Sequence, residues 1–133
     1  MLRVITNSAE PVLPADLLEP GMHVNAAGNN VWTGRELDTD AIEKFDSIVV
    51  VDVDQARIES GELIRSAETG HFTWSSAKPL CDVVAGKVKV KPRANDSDIT
   101  LFESLGVAIE DIAVAKRVYQ MAVEQGAGHT LPS

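Results

Sequence analysis

The 133 residues are enough for one domain with a real core, and 44% hydrophobic against 24% charged residues is ordinary globular composition. Twelve Lys and Arg against twenty Asp and Glu give a net charge of -8, which leaves no basic patch to neutralise a phosphate backbone and so excludes nucleic acid as the expected partner. The opening residues MLRVITNSAEP carry no apolar signal segment and no later apolar run approaches the ~18 residues that cross a bilayer, so a cytoplasmic protein without membrane contact is expected.

In chain order, LRVIT (2–6), HVNAA (23–27) and SIVVVD (47–52) are short β-rich runs, and the third is apolar without alternation, as in a strand covered on both faces. Between the first two, PADLLEPG reads as a helical turn closed by Pro20 and Gly21. Between the second and third, ELDTDAIEKF reads as a helix capped by Asp38 or Thr39. Repeated β-α-β units predict an α/β fold with about three parallel strands, each beside its predecessor. VDQARIESGELIRSAETG then reads as a helix broken at Gly61, and HFTWSSAKPLCDVVAGKVKVKPRANDSD as a loop-rich stretch. Cys81, the single cysteine, fits a small core or boundary position, and His23, His71 and His129 lie too far apart in sequence to suggest a metal site.

A long helix is predicted over 107–125, with Glu110 and Asp111 in its first turn and Gly126 at its stop. Ala108, Ile112, Ala115, Tyr119 and Ala122 form one apolar strip, and Val107, Val114, Val118 and Met121 a second. Two readings stand: a central core helix, or one that packs on a segment or subunit outside this chain.

Each predicted strand ends in polar residues: Thr6-Asn7-Ser8, Gly28-Asn29-Asn30 and Asp52. In open parallel sheets ligands sit beyond the carboxyl ends of the strands, so these loops are candidates for a small-molecule site. Asn, Ser and Gly are also ordinary turn residues. No G-x-G-x-x-G, no G-x-x-x-x-G-K-[ST], no nucleophile elbow and no paired-carboxylate motif is present.

TNSAEPVL, LLEPGMHVNAAGNN, GRELD, QARIESGEL and ITLFESLGVAIEDIAVAKRVY resemble, in order and spacing, successive motifs of the ornithine cyclodeaminase/mu-crystallin family. The resemblance implies a partial Rossmann fold and NAD or NADP as cofactor, with an amino acid or cyclic imine as substrate. It also implies that the family's glycine-rich phosphate turn, its substrate-binding Arg and Lys and its first catalytic carboxylate belong to a preceding stretch. On this reading 1–106 is the second half of the nucleotide domain, and 107–133 returns toward a substrate and dimerisation domain. The implied partner is that upstream half or a second copy, and the chain alone is expected to self-associate and to bind dinucleotide weakly.

Position by position, Thr6 resembles the family's nucleotide-contacting threonine, and Val24, Asn25, Ala26 and Ala27 the strand beside the nicotinamide, with Gly28 as its tight exit. Ser104 resembles the serine that contacts the nicotinamide amide, and Leu105 its neighbour bordering the substrate. Asn30 replaces the proton-exchanging aspartate of a cyclodeaminase, which makes it the candidate catalytic position, and Gly34 replaces a nucleotide-contacting lysine. Within RELD, Asp38 reads as a helix cap and Arg35 with Glu36 as local charge partners. Two functions follow: an oxidoreductase or cyclodeaminase that acts with an upstream half, or a non-catalytic remnant that binds a ligand or partner.

Overall fold

The computed structural model describes residues 1–88, 95–129 and 131. Part of the loop-rich stretch (89–94) and of the C-terminal tail (130, 132 and 133) therefore lies outside the described residues. Five strands, β1 (Leu2–Val4), β2 (His23–Ala26), β3 (Ser47–Val50), β4 (Ala77–Pro79) and β5 (Thr100–Glu103), form one sheet in the order β1-β2-β5-β3-β4. Every pairing is parallel. The α/β class and the three predicted strands hold, but β2 and β3 are not neighbours, because β5 lies between them. A right-handed crossover fixes the hand of a connection and not adjacency, so the connection after β2 leaves one strand width open for a later strand.

Two of the five strands come from sequence not read as strand. β4 is three residues ending in a proline, and β5, TLFE, places a glutamate in the core.

One face of the sheet is closed by the chain itself. β2, β3 and β5 each alternate half-buried and buried residues, and Val24, Ala26, Ile48, Val50, Leu101 and Glu103 share the buried face. Against it pack α1 (Thr39–Glu43), α2 (Val53–Glu59) and α3 (Gly61–Glu68), which contribute Ala41, Ile42, Ala56 and Leu63, together with Leu13, Leu37 and Phe45. Each fully buried Leu or Ile here is worth about 1.5–3 kcal/mol of burial. The opposite face carries His23, Asn25, Val49, Phe102 and Thr100, all half-buried. β3 is therefore covered on one face rather than two, although its sequence is apolar on both.

Side chains set the helix starts. The Asp38 carboxylate accepts the Ala41 N–H at 2.6 Å and caps α1, and Asp52 accepts the Gln55 N–H at 2.8 Å and caps α2. Ser60 ends α2 and caps α3 by accepting the Leu63 N–H at 3.1 Å, which locates the predicted break. Gly61 is glycine because a Cβ there would collide with the Gly34 carbonyl.

The long helix α5 (Ala108–Gln125) follows its predicted bounds closely and stops at Gly126, whose φ of 62° is left-handed. None of its residues is buried, and Ile109, Ile112, Val114, Val118, Tyr119 and Val123 are exposed. This overturns the central-core reading, since the α1–α3 layer already fills the core. Cys81, in α4 (Leu80–Val84), is exposed rather than a core residue. Among the described residues no helix is long and apolar enough to cross a membrane.

Candidate functional site

The strand exits meet at the carboxyl edge. The ladder continues past the strands, with Ala27 N–H donating to the Val4 carbonyl (3.0 Å) and Ser104 N–H to the Ala26 carbonyl (2.9 Å), so the loops after β1, β2 and β5 run side by side. Between the last two lies a cleft of about 230 Å³ lined by Ala27, Gly28, Asn29, Asn30, Ser104, Leu105 and Gly106. The β5 exit is held by Gln55 of α2, whose Nε2 donates to the Gly106 carbonyl at 2.7 Å. The Ser104 hydroxyl accepts the Gly106 N–H at 3.4 Å.

The fold thus brings Ala27, Gly28, Asn29, Asn30, Ser104 and Leu105 into one cleft, and places Thr6, Val24, Asn25 and Ala26 differently. The side chains of Val24 and Ala26 are buried in the core, while Asn25 lies half-buried on the open face. Thr6 is exposed beside an apolar groove along β1 that also includes Val12, Leu13, Leu17 and Met22. Its hydroxyl accepts the Ser8 N–H at 3.3 Å.

The two carboxamides of the β2 exit divide the work. Asn29 Nδ2 donates to the Ser8 carbonyl at 3.0 Å and its Oδ1 accepts the Val31 N–H at 2.9 Å, so this side chain ties the first exit loop to the second. Asn30 is exposed and makes no side-chain hydrogen bond among the described residues. A Cβ at Gly34 would overlap the Asn29 carboxamide, so a side chain there would displace Asn29 from its present position. Asp52, nominated as a site carboxylate, is occupied as the cap of α2.

Sequence reasoning missed a group of buried acids beneath the cleft. Glu36, Glu62 and Glu103 are 1%, 2% and 2% exposed, so all three carboxyls are removed from bulk water. Glu36 is not a partner of Arg35. Arg35 pairs with Glu10 at 3.8 Å, whereas Glu36 Oε1 accepts the Thr6 N–H and Oε2 the Gly28 N–H (3.0 Å). Glu62 lies in the first turn of α3, and Glu103 ends β5 on the buried face, in register with Ala26 and Val50.

Burial pushes Glu103 up to about 8 from the ordinary 4.5, the Glu62 and Glu36 carboxylates adding to the rise while the Ser60 hydroxyl opposes it. Burial likewise raises Glu62 to about 7, against backbone N–H groups of Glu62 and Glu36 and the Arg35 guanidinium, with the Glu36 carboxylate adding to the rise. Both carboxyl oxygens of Glu103 and Oε2 of Glu62 lack a geometric hydrogen-bond partner among the described residues. One signal for Glu103 was available: in TLFE the period of two puts it on the face of Leu101.

Residues 2–126 match the model of the ornithine cyclodeaminase/mu-crystallin family. The chain belongs to this family. A Δ1-pyrroline-2-carboxylate reductase of Bacillus cereus is 36% identical over 127 residues, covering 95% of this chain and 38% of the relative. The Δ1-pyrroline-2-carboxylate reductase of Thermococcus litoralis, solved with NADH and L-proline, superposes with a TM-score of 0.89 at 34% identity, covering 98% of this chain and 40% of that one. An archaeal alanine dehydrogenase dimer with bound NAD gives a TM-score of 0.84 at 34% identity, covering 98% and 40%. The chain therefore spans about two-fifths of the length of these family members.

Proposed function

We propose that this chain forms the nicotinamide and substrate end of an NAD(P)-dependent oxidoreductase that acts on an amino acid or cyclic imine. The cleft between the β2 and β5 exits is the observation that carries this reading. Its lining is small and polar, with Ala27 and Gly28 leaving the backbone approachable by a flat ring, so its residues fit the nicotinamide part of the cofactor. A Cβ at Gly28 would strike the Thr6 backbone, so a larger residue there would push the two exit loops apart.

NAD(P), when bound, supplies or accepts the hydride. Ser104 would hold the nicotinamide amide, the backbone of 24–27 would flank the ring, Leu105 would border the substrate and Thr6 would meet the ribose or phosphate. The pyrophosphate needs a glycine-rich turn that opens a helix, and this sequence has no G-x-G-x-x-G to form one. That anion site is assigned to a preceding segment, a separate polypeptide or part of a longer chain. Residues 1–106 then form the second half of the nucleotide domain, and α5 leads 107–133 toward a substrate and dimerisation domain. By itself the chain is inactive.

Asn30 decides the reaction type. Cyclodeamination moves protons on and off substrate amines while ammonia leaves, which a carboxylate does and a carboxamide does not. An asparagine still orients an amino or carboxylate group for hydride transfer. The test joins this chain to the preceding part of a family reductase and supplies alanine, a cyclic imine and ornithine. Turnover of alanine or the imine is expected, with ornithine cyclodeamination weaker by ~10²- to 10⁴-fold and raised in Asn30→Asp. Efficient release of proline and ammonia from ornithine with Asn30 intact would overturn the assignment.

A further inference from the structure

Glu36 is the point at which the segments around the cleft are joined. Its backbone carbonyl accepts the N–H groups of Val12 (2.9 Å) and Leu13 (3.0 Å), and its carboxylate accepts those of Thr6 and Gly28. One residue therefore receives four main-chain donors, from the β1 exit, the segment that follows it and the β2 exit. Gly28 is the second residue after β2 and lines the cleft, so the separation of Thr6 from Gly28 sets where the Asn29-Asn30 edge stands.

Two further buried carboxyls lie close enough to interact electrostatically with it, Glu62 from α3 and Glu103 from β5. The other charged groups that face them are Glu36 itself and Arg35, both from the connection between β2 and α1; the elements beside Glu103 in the sheet present Ala26 and Val50. Three carboxylates cannot all be ionised in so little space with a single guanidinium nearby. Of the three, only Glu36 has a main-chain donor on each oxygen. The protons therefore belong to the other two.

We propose that Glu36 is the positioning residue of the cleft, its carboxylate clamping the β1 and β2 exits, and that the protons held by Glu62 and Glu103 keep the clamp closed. Loss of those protons would set a second and third charge against Glu36 and favour its withdrawal from Thr6 and Gly28. Cleft geometry then depends on pH through residues that touch neither substrate nor cofactor. The inference rests on the cleft being the reactive end, but the clamp itself is measurable in the ligand-free chain.

The experiment is amide hydrogen exchange followed by NMR on the full chain from pH 6 to 9, corrected for intrinsic exchange. Protection of Thr6 and Gly28 is expected to fall at least tenfold more than that of Val49 and Phe102 as pH rises through 7–8. Glu62→Gln/Glu103→Gln should keep the protection and remove its extra pH dependence, since the amides imitate protonated acids without being able to ionise. Glu36→Gln keeps one acceptor oxygen and turns the other into a donor, so it should lose protection at one of Gly28 and Thr6 at every pH, and if it fails to fold the Gln/Gln comparison decides alone.

An unchanged pH profile in the Gln/Gln variant, or Thr6 and Gly28 tracking the central strands in the wild-type chain, would overturn the clamp. Failure of the joined enzyme to reduce any substrate would instead count against the reading of function and leave the exchange result standing.

Discussion

The two faces of the sheet differ in both composition and surroundings. On one, Val24, Leu101 and Ile48 lie under α1–α3 and are at most 5% exposed, which makes them the core. On the other, Val49 and Phe102 alternate with His23, Asn25 and Thr100 and stay half-buried. Purely parallel sheets are normally covered on both faces and carry apolar residues on both, and on the open face here only Val49 and Phe102 fit that pattern. The exposed apolar strips of α5 show the same mismatch between composition and surroundings. The difference teaches that an apolar run records the surroundings a strand is suited to, and burial records those it has.

The sharpest way to break this comparison is at adjacent residues of β5. Leu101→Ala, on the covered face, should cost about 2–5 kcal/mol in chemical denaturation, whereas Phe102→Ala, on the open face, should cost less than half as much in this chain. Equal losses would mean that both faces are equally packed.

The acids of the covered face give the next effect. Glu103 and Glu62 are raised above 4.5, to about 8 and about 7, so the folded state holds protons that the unfolded state releases. Their contribution is fully present below about 4.5 and is lost as pH rises through 7–8, a change of order a few kcal/mol. Denaturation midpoints measured from pH 5 to 9 should decline across that window, and Glu103→Gln should flatten the decline. A midpoint that rises over the same range would contradict the assignment.

On the open side, Ile112→Ser with Val118→Ser in α5 should lower the apparent mass in light scattering, because the free chain exposes these residues together with the β1 edge. A one-chain mass at all concentrations before mutation would show that this surface needs no partner. The smallest effect is local: Asp38→Ala, which removes the cap of α1, should cost about 0.5–2 kcal/mol, read in the same denaturation assay.

Much of this was legible in the sequence where a residue type has a local physical meaning. Asp38 as cap, the interruption at Ser60-Gly61, Gly126 as helix stop and the first three strands follow from propensity, capping and periodicity. β4 and β5 did not, because three residues ending in proline and four residues ending in a core glutamate defeat any window-based pattern. The cleft was legible in part: Ala27, Asn30, Ser104 and Leu105 came from motifs and meet in space. Glu36 was misjudged because Arg35-Glu36 looks like a surface pair, and only the tertiary fold brings Thr6 and Gly28 to its carboxylate.

The central claim is that this chain supplies the nicotinamide end of a dinucleotide site whose phosphate anchor lies elsewhere. Isothermal calorimetry of NADH with the 133-residue chain, alone and joined to the preceding part of a family reductase, tests it most directly. Micromolar binding is expected of the joined protein and none measurable, Kd weaker than about 1 mM, of the chain alone, because the glycine-rich turn that holds the pyrophosphate at a helix start is missing from it. Micromolar affinity of the isolated chain would contradict the claim.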